Sequence, residues 1–162
     1  MKQKNKDKTE KTNVMRVLDS LKIPYESHSY VPDATLTGEE IAKLLGEDPT
    51  RAFKTLVTQG RSKAYYVFVI PVGDELDLKK AAAACGEKSI AMIKQKELLP
   101  LTGYVHGGCS PIGMKKAFPT YIHEMALLYD RMFVSAGKVG YQIELKPEDL
   151  EKAVKLSFAD LV

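Results

Sequence analysis

Two runs of strand-forming residues, 53–58 and 63–70, flank the turn-forming tetrapeptide Gln59-Gly60-Arg61-Ser62. Aromatic and β-branched residues favour strands, and a short connection that contains glycine favours a hairpin, so this part of the chain predicts an antiparallel pair. Helical patterns lie on both sides of the hairpin and do not alternate regularly with strands. The chain is therefore limited to the α+β class, with helices packed around a sheet.

Cap and stop residues predict the helices. Thr12 precedes apolar residues at helical spacing, Thr37 and Glu40 fit a capping box, and Gly46 stands where that helix would end. The expected helices are 13–22, one between Thr37 and Gly46, 77–84, 94–99 and a last one that begins at Pro147. The further expected strands are 23–28, 104–106, 120–123, 132–135 and 141–145. Together they predict a strongly curved, mostly antiparallel mixed sheet flanked by helices.

These elements fit a single domain over residues 12–162. A chain of 162 residues, 44% apolar and 28% charged, is large enough to bury a core without disulfides or metal ions. Residues 1–11 contain five lysines with no apolar stretch behind them. They predict a disordered, solvated tail rather than a signal peptide.

Composition also narrows the partners and the location. The longest apolar run, 64–72, is too short to cross a bilayer, so we expect no membrane partner. Cys85 and Cys109 form no CxxC pair and have no histidine at metal-ligand spacing, so we expect no metal, no cofactor and no disulfide framework. A reducing cytoplasm fits best. The net charge of +3 is compatible with a polyanionic partner without requiring one.

The segment 102–113, with the sequence TGYVHGGCSPIG, holds four glycines and one proline. Glycine lets backbone N–H groups approach a ligand closely, and Pro111 fixes one φ angle of the returning chain. Two interpretations stay open from this segment alone. It is either a backbone-built loop that binds a carbonyl or phosphate oxygen, or a tight turn between strands.

Two further segments, 51–57 (RAFKTLV) and 133–140 (FVSAGKVG), accompany the glycine-rich segment. In this order the three segments resemble the YbaK family, whose members hydrolyse mischarged aminoacyl-tRNA and are related to the editing domain of bacterial prolyl-tRNA synthetases. The resemblance runs from about Thr12 to Val162 and takes in 27–30, 76–82 and 158–161. It implies a barrel-like mixed sheet, a cytoplasmic deacylase, tRNA as a partner and prolyl-tRNA synthetase as a neighbour.

The resemblance assigns roles to individual residues. Lys54 matches the family's essential lysine, and Gly107 and Gly108 lie in its GxxxP loop, which holds the aminoacyl carbonyl, so these three are the expected catalytic residues. Removing one backbone donor to a developing oxyanion typically costs about 3–4 kcal/mol. The expected substrate-binding residues are Tyr30, Phe53, Thr55, Ser110, Pro111, Ser135 and Gly137. Without the resemblance, Lys54 is a surface lysine, Ser135 a strand-ending hydroxyl and Tyr30 a half-buried aromatic.

No nucleophile–base pair stands out in the sequence, because His28, His106 and His123 have no evident serine or cysteine partner. The resemblance offers another route. Cysteine-specific members of the family are understood to let the substrate's own thiol attack the ester, with release of a thiolactone. Orientation alone contributes roughly 7–11 kcal/mol in well-placed intramolecular reactions. Cys109 is expected to be a small apolar filler rather than a nucleophile.

The match to the family is incomplete near the expected pocket. Val139 stands where relatives carry arginine, Gln142 where some carry aspartate, and His106 and Cys109 replace aliphatic residues. The leading hypothesis is a deacylase that acts in trans on Cys-tRNA(Pro). A different specificity, such as Ala-tRNA(Pro), and a non-catalytic module that binds tRNA ends or nucleotides are the alternatives. A regulatory role in cell-surface expression has no supporting feature in the sequence.

Overall fold

The computed structural model describes residues 11–33 and 35–162, so the predicted tail, except for Lys11, lies outside the described residues. The helices in this range are α1 (Asn13–Ser20), α2 (Gly38–Leu44), α3 (Leu78–Cys85), α4 (Gln95–Thr102) and α5 (Pro147–Ala153). The strands are β1 (Glu26–Ser29), β2 (Phe53–Gly60), β3 (Tyr65–Pro71), β4 (Ile90–Met92), β5 (Thr120–His123), β6 (Met132–Ser135), β7 (Tyr141–Leu145) and β8 (Leu156–Ala159). Short 3₁₀ turns cover Pro49–Arg51 and Glu124–Leu128.

The strands form two sheets. The three-stranded sheet has the order β1-β7-β6 and is antiparallel throughout. The five-stranded sheet has the order β4-β2-β3-β5-β8, in which β2 is antiparallel to both β3 and β4, while β5 is parallel to β3 and to β8. The predicted α+β class, the predicted hairpin and the mixed, mostly antiparallel pairing are confirmed.

The two sheets do not close into the barrel that the resemblance implies. Among the described strands, the link between them is an isolated parallel bridge from Ala52 to Phe133. The Ala52 carbonyl also accepts a hydrogen bond from the N–H of Val72, which continues the β3 side of the hairpin. The other edge of β2 is taken by β4 at residues 58–60. Only the start of β2 is therefore left to approach β6.

Side-chain caps begin the first two helices as predicted. The hydroxyl of Thr12 accepts a hydrogen bond from the N–H of Met15 at 3.2 Å. The N–H of Glu40 donates to the Thr37 hydroxyl at 3.2 Å, and the Glu40 carboxylate accepts from the Thr37 N–H at 2.8 Å. Both predicted caps are confirmed, and their helices end close to the expected residues.

Helix α4 continues past Pro100, where the sequence predicts its end. Proline removes only the hydrogen bond to the Lys96 carbonyl, and the bonds of the following turn still form. The Thr102 hydroxyl donates to the Leu98 carbonyl at 2.8 Å, and the Gly103 N–H donates to the Leu99 carbonyl at 2.9 Å. The helix can therefore run on for two residues.

The strand predicted over 104–106 is wrong, because these residues form local turns. The Tyr104 N–H donates to the Thr102 hydroxyl at 3.0 Å, and the Gly108 N–H donates to the Val105 carbonyl at 2.9 Å. The sequence also misses β4 and β8, which are short strands at the two ends of the larger sheet.

The main core lies between the facing sides of the two sheets. Its strand residues are Val57, Val67, Val69 and Ile122 from the larger sheet, and Met132, Val134, Ile143 and Leu145 from the smaller one. Val14 and Leu18 of α1 complete one side, and a second cluster around Phe68 and Ile70 packs under α3. The outward face of β6 and β7 carries Phe133, which packs with Ala42 and Ala52, and polar residues beside it. In the part of the chain that the structure describes, no helix is long and apolar enough to span a membrane.

Candidate functional site

The turn that joins β6 to β7, residues 136–140, is where several of the predicted site residues meet. Tyr30 directly follows β1, and its N–H donates to the Gly140 carbonyl at 2.9 Å. The Ser135 hydroxyl at the end of β6 accepts from the Gly137 N–H at 3.1 Å. The turn thus holds Tyr30, Ser135 and Gly137 close to one another.

The glycine loop, which we define as residues 106–111, packs against the same turn. A Cβ atom on Gly108 would lie 2.9 Å from the backbone nitrogen of Val139 and 3.2 Å from the carbonyl carbon of Lys138. Only glycine allows this approach without a shift of backbone. Gly107 has φ +87°, a conformation that side chains rarely adopt. The turn and the glycine loop therefore form one closely packed unit.

The backbone N–H groups of the glycine loop differ in what they can offer a ligand. The Gly108 N–H already donates to the Val105 carbonyl. For the N–H groups of Gly107, Cys109 and Ser110 there is no acceptor among the described residues. Gly108 thus contributes close packing, while Gly107 keeps an N–H group available for a substrate oxygen.

Lys54 lies on the same side of the molecule as Ser135. The bridge between Ala52 and Phe133 aligns β2 with β6, and alternate residues of a strand share a face. Two residues further along each strand stand Lys54 and Ser135. Lys54 is half-buried, and no described residue forms an ion pair or a side-chain hydrogen bond with it. Its ammonium group is therefore presented from a strand and is free to bind an anion.

Four other predicted substrate contacts lie deeper. Phe53 is 4% exposed and belongs to the main core, and Thr55 shares its face of β2. Ser110 is fully buried, and its hydroxyl accepts from the Ile112 N–H at 3.3 Å, while Pro111 is also buried. The structure places these residues beneath the site, and their contact with substrate stays a prediction.

A polar row on the outward face of the small sheet continues from Ser135. Gln142 of β7 stands opposite Ser135 on one side and opposite His28 of β1 on the other. The ring nitrogen Nε2 of His28 lies 2.8 Å from Oε1 of Glu144. The sequence placed Gln142 near the expected pocket but gave no role in the site to His28 or Glu144. The alternation of 141–145 was a signal that Gln142 and Glu144 share a face.

Glu47, just after α2, faces this row as a buried carboxylate. Burial raises its pKa to about 7, and His28 and the Gln142 amide oppose that rise. Neither Glu47 oxygen, nor Oε1 of Gln142, has a hydrogen-bond partner among the described residues. Protonation of Glu47 would add a donor beside the unpaired Oε1 of Gln142. No pattern in the sequence could have placed Glu47 here.

Two further groups near the site are the Cys109 thiol and a cluster of possible metal ligands. Burial raises the pKa of the Cys109 thiol to about 12, so the group is protonated near neutral pH and is a poor nucleophile. Possible metal ligands of Glu26, His28 and Glu144 lie within 4.8 Å of one another. The hydrogen bond between His28 and Glu144, and the 4.0 Å contact of Glu26 with Arg131, account for this arrangement.

The sequence model of the aminoacyl-tRNA editing domain matches residues 32–153, which include Lys54, the glycine loop and Ser135. The chain belongs to the aminoacyl-tRNA editing domain family. Tyr30 lies two residues before the matched segment of this editing domain. The predicted resemblance to the family is thereby confirmed.

Related proteins agree with this assignment. A protein of Enterococcus faecalis named "Putative Cys-tRNA(Pro)/Cys-tRNA(Cys) deacylase EbsC" is 48% identical over 158 residues, which are 96% of this editing domain chain and 96% of that protein. A proline–tRNA ligase of Thermosipho melanesiensis is 29% identical over 62% of this chain and 17% of the ligase. The editing domain therefore resembles both a free-standing protein and part of a synthetase.

Solved structures share the fold. A structure described as "a putative trans-editing enzyme for prolyl tRNA synthetase" is 24% identical, with a TM-score of 0.78, and covers 94% of this chain and 98% of its own. A structure described as a hypothetical protein gives a TM-score of 0.84 at 22% identity, covering 93% of this chain and 99% of that one. At these identities the likeness establishes the fold of the editing domain.

Proposed function

We propose that this protein is a deacylase that acts in trans and removes wrongly attached amino acids from tRNA, with Cys-tRNA(Pro) as its main substrate. One observation carries the proposal. The unpaired Lys54 ammonium and the available Gly107 N–H lie on elements that meet at the turn 136–140. The name of the 48% identical relative supports the choice of substrate.

In the proposed mechanism Lys54 and the glycine loop have separate tasks. The ammonium group of Lys54 binds negative charge on the substrate, either a phosphate of the tRNA end or the oxygen of the reacting ester. The N–H of Gly107 donates to the ester carbonyl as its oxygen gains charge. Ser135, which ends β6, and Tyr30, which follows β1, flank β7 and position the aminoacyl group. Fixed donors of this kind stabilise the transition state because they need no reorganisation during the reaction.

The nucleophile in this proposal is the thiol of the cysteinyl substrate. Its sulfur attacks the ester carbonyl, a C–S bond forms, and the C–O bond to the ribose breaks. The thiol proton ends on the ribose oxygen, so the products are a cysteine thiolactone and uncharged tRNA. The buried, protonated Cys109 takes no part. The enzyme needs to hold the ester so that the thiol and the carbonyl meet.

We also propose that the deacylase works in the cytoplasm close to prolyl-tRNA synthetase. The similarity to proline–tRNA ligases supports a common origin with a domain that corrects errors of that enzyme. A free-standing editing domain must reach mischarged tRNA before the ribosome does, and proximity to its source would shorten that search.

A panel of aminoacyl-tRNAs tests the proposal. Cys-tRNA(Pro) should lose its ester rapidly and release thiolactone, Ser-tRNA should react much more slowly, and Ala-tRNA and Pro-tRNA hardly at all. Rapid release of free alanine would instead indicate attack by water and Ala-tRNA(Pro) specificity. If the ester survives in every aminoacyl-tRNA while tRNA still binds, the protein is a binding module and the proposed enzyme activity is wrong.

A further inference from the structure

A cavity of about 450 Å³ lies beyond the end of the glycine loop. It opens where the parallel strands β5 and β8 begin, and Pro111 of the glycine loop forms part of its wall. The volume falls in the usual range for sites that bind small molecules or parts of larger ones. None of the residues of the proposed ester site other than Pro111 lines it.

The charged side chains that line the cavity are both positive. Lys116 and Lys155 line it, and no aspartate or glutamate does. Both lysines are exposed, and neither forms an ion pair with any residue in 11–33 or 35–162. Tyr121 and Ser157, which are paired across β5 and β8, also line it, and the Tyr121 ring stacks on Phe68. The two lysines favour an anionic ligand.

The floor of the cavity is apolar and rigid. Phe118 packs against the main core and makes an edge contact with Tyr65, with ring centroids 5.7 Å apart. The Pro119 carbonyl accepts from the Val67 N–H at 2.9 Å, which ties this segment to β3. An aromatic ring on a fixed backbone beside two free lysines suits a nucleotide, whose base can stack while its phosphate is neutralised.

The cavity is close to the proposed ester site along the chain. Gly108 and Pro111 are three residues apart, a separation of at most about 10 Å even for extended backbone. Nucleotides of one strand that follow each other can therefore occupy the two places together.

We propose that this cavity binds a nucleotide of the single-stranded tRNA end, next to the terminal nucleoside that carries the ester. The site would read no sequence, because phosphate contacts and stacking are largely independent of the base. It would place the ester at the glycine loop by holding the strand that leads to it. This inference rests on the proposed function for the identity of the nucleic acid.

Binding of the trinucleotide CCA tests the site without any deacylation. Lys116→Ala and Lys155→Ala should each weaken binding about threefold to tenfold, and each should lower the salt dependence by roughly 0.7 in the log–log slope, as expected for one phosphate contact on a single strand. Phe118→Leu, which keeps the apolar floor but removes the ring, should weaken binding more than fivefold. Lys88→Ala is the matched control, because Lys88 is exposed and lies outside the cavity.

Deacylation kinetics provide a second, independent readout. Lys116→Ala and Lys155→Ala should raise KM for Cys-tRNA far more than for cysteinyl adenosine, which lacks the preceding nucleotides. Equal losses with both substrates, CCA binding that the lysine variants leave unchanged, or no CCA binding by the wild-type protein would each overturn the site. If the wild-type protein binds CCA in this cavity but cleaves no ester, the proposed function is wrong and the nucleotide site stands.

Discussion

The two faces of the three-stranded sheet are built from the same strands and have opposite characters. The inward face carries Met132, Val134, Ile143 and Leu145, none more than 1% exposed. The outward face carries Ser135, Gln142 and Glu144, the last of these paired with His28, together with one buried aromatic residue, Phe133. The inward face is apolar and is stabilised by packing, whereas the outward face includes Oε1 of Gln142, an acceptor for which no described residue provides a donor.

This difference shows how a small domain separates stability from chemistry. Apolar packing on one face fixes the strands. The polar face can then hold groups whose hydrogen-bonding capacity stays available for a substrate. Groups of this kind cluster at functional sites because the rest of the fold supports them. The comparison can be tested by changing one face at a time.

Ile143→Ala should have the largest effect on the free energy of unfolding. Removal of a fully buried aliphatic side chain leaves a cavity and typically costs about 2–5 kcal/mol. Its neighbour on the outward face is the control, since Gln142→Ala removes a carbonyl that has no partner and should cost less than about 1 kcal/mol. Denaturant titration measures both, and equal losses would contradict the division between the faces.

Lys54→Ala should reduce kcat/KM for Cys-tRNA by about 100-fold, or roughly 2.7 kcal/mol, because a fixed charge at the reacting ester is lost. The free energy of unfolding should change little, since no described residue pairs with Lys54. Lys54→Arg should restore only part of the activity because a planar guanidinium is not a compact charge. Lys88→Ala is the control, and wild-type kinetics in Lys54→Ala would remove the residue from the mechanism.

Gly108→Ala should lower kcat/KM about tenfold. The added Cβ would meet the backbone of residues 138 and 139, so the glycine loop must move away from the turn. Gly46→Ala is a suitable control, because Gly46 has φ +73° but no atom within 4 Å of an added Cβ, and it should lower stability by about 1 kcal/mol without affecting kinetics. If Gly108→Ala loses stability and activity in parallel, the glycine loop is only a structural turn.

The pH dependence of stability should report Glu47. Its pKa in the folded state, about 7, is above the ordinary value of 4.5, so the folded protein holds a proton that the unfolded chain releases. Stability should therefore fall as pH rises from about 4.5 to 7 and then level off. Glu47→Gln should flatten this dependence and raise the thermal midpoint at pH 8. Glu151→Gln, an exposed control on α5, should leave the curve unchanged.

Cys109→Ala should have the smallest effect, less than twofold on kcat/KM, because the buried thiol is protonated at neutral pH. Release of thiolactone from Cys-tRNA should continue in this variant. A loss of activity that cysteine alone restores would make Cys109 a participant in the reaction.

Local signals in the sequence account for most of the correctly predicted fold. Caps at Thr12 and Thr37 and the hairpin at 59–62 depend on neighbouring residues, and each is confirmed. The errors arise where distant parts of the chain decide the outcome. β8 has no cap or turn signal of its own and exists because it pairs with β5, and the barrel fails to close because β4 occupies the edge of β2.

Roles in the candidate site could be predicted only for residues in segments that match a family motif. Lys54, Ser135 and the glycine loop were found through the family resemblance, and the structure brings their elements together. Glu47 lies in a segment with no such motif, and His28 lies in the matched segment 27–30 but was given no role there; α2 packs over the outward face through Ala42 and Phe133. Phe53 lies in the core, on the opposite face of β2 from Lys54, because adjacent side chains of a strand point to opposite faces, and its contact with substrate stays a prediction.

The pairing of β1 with β7 joins two segments that are made at very different times during synthesis. His28 and Glu144, which touch across these strands, are 116 residues apart. At about 5–20 residues per second, a ribosome needs roughly 6–23 s to make the intervening chain. During that interval β1 has no β7 to pair with, whereas both strands of the β2–β3 hairpin, which carries Lys54, have already been made. β7 joins β1 to β6, so a nascent chain that stops before residue 141 contains Lys54, the glycine loop and Ser135 but cannot complete the three-stranded sheet.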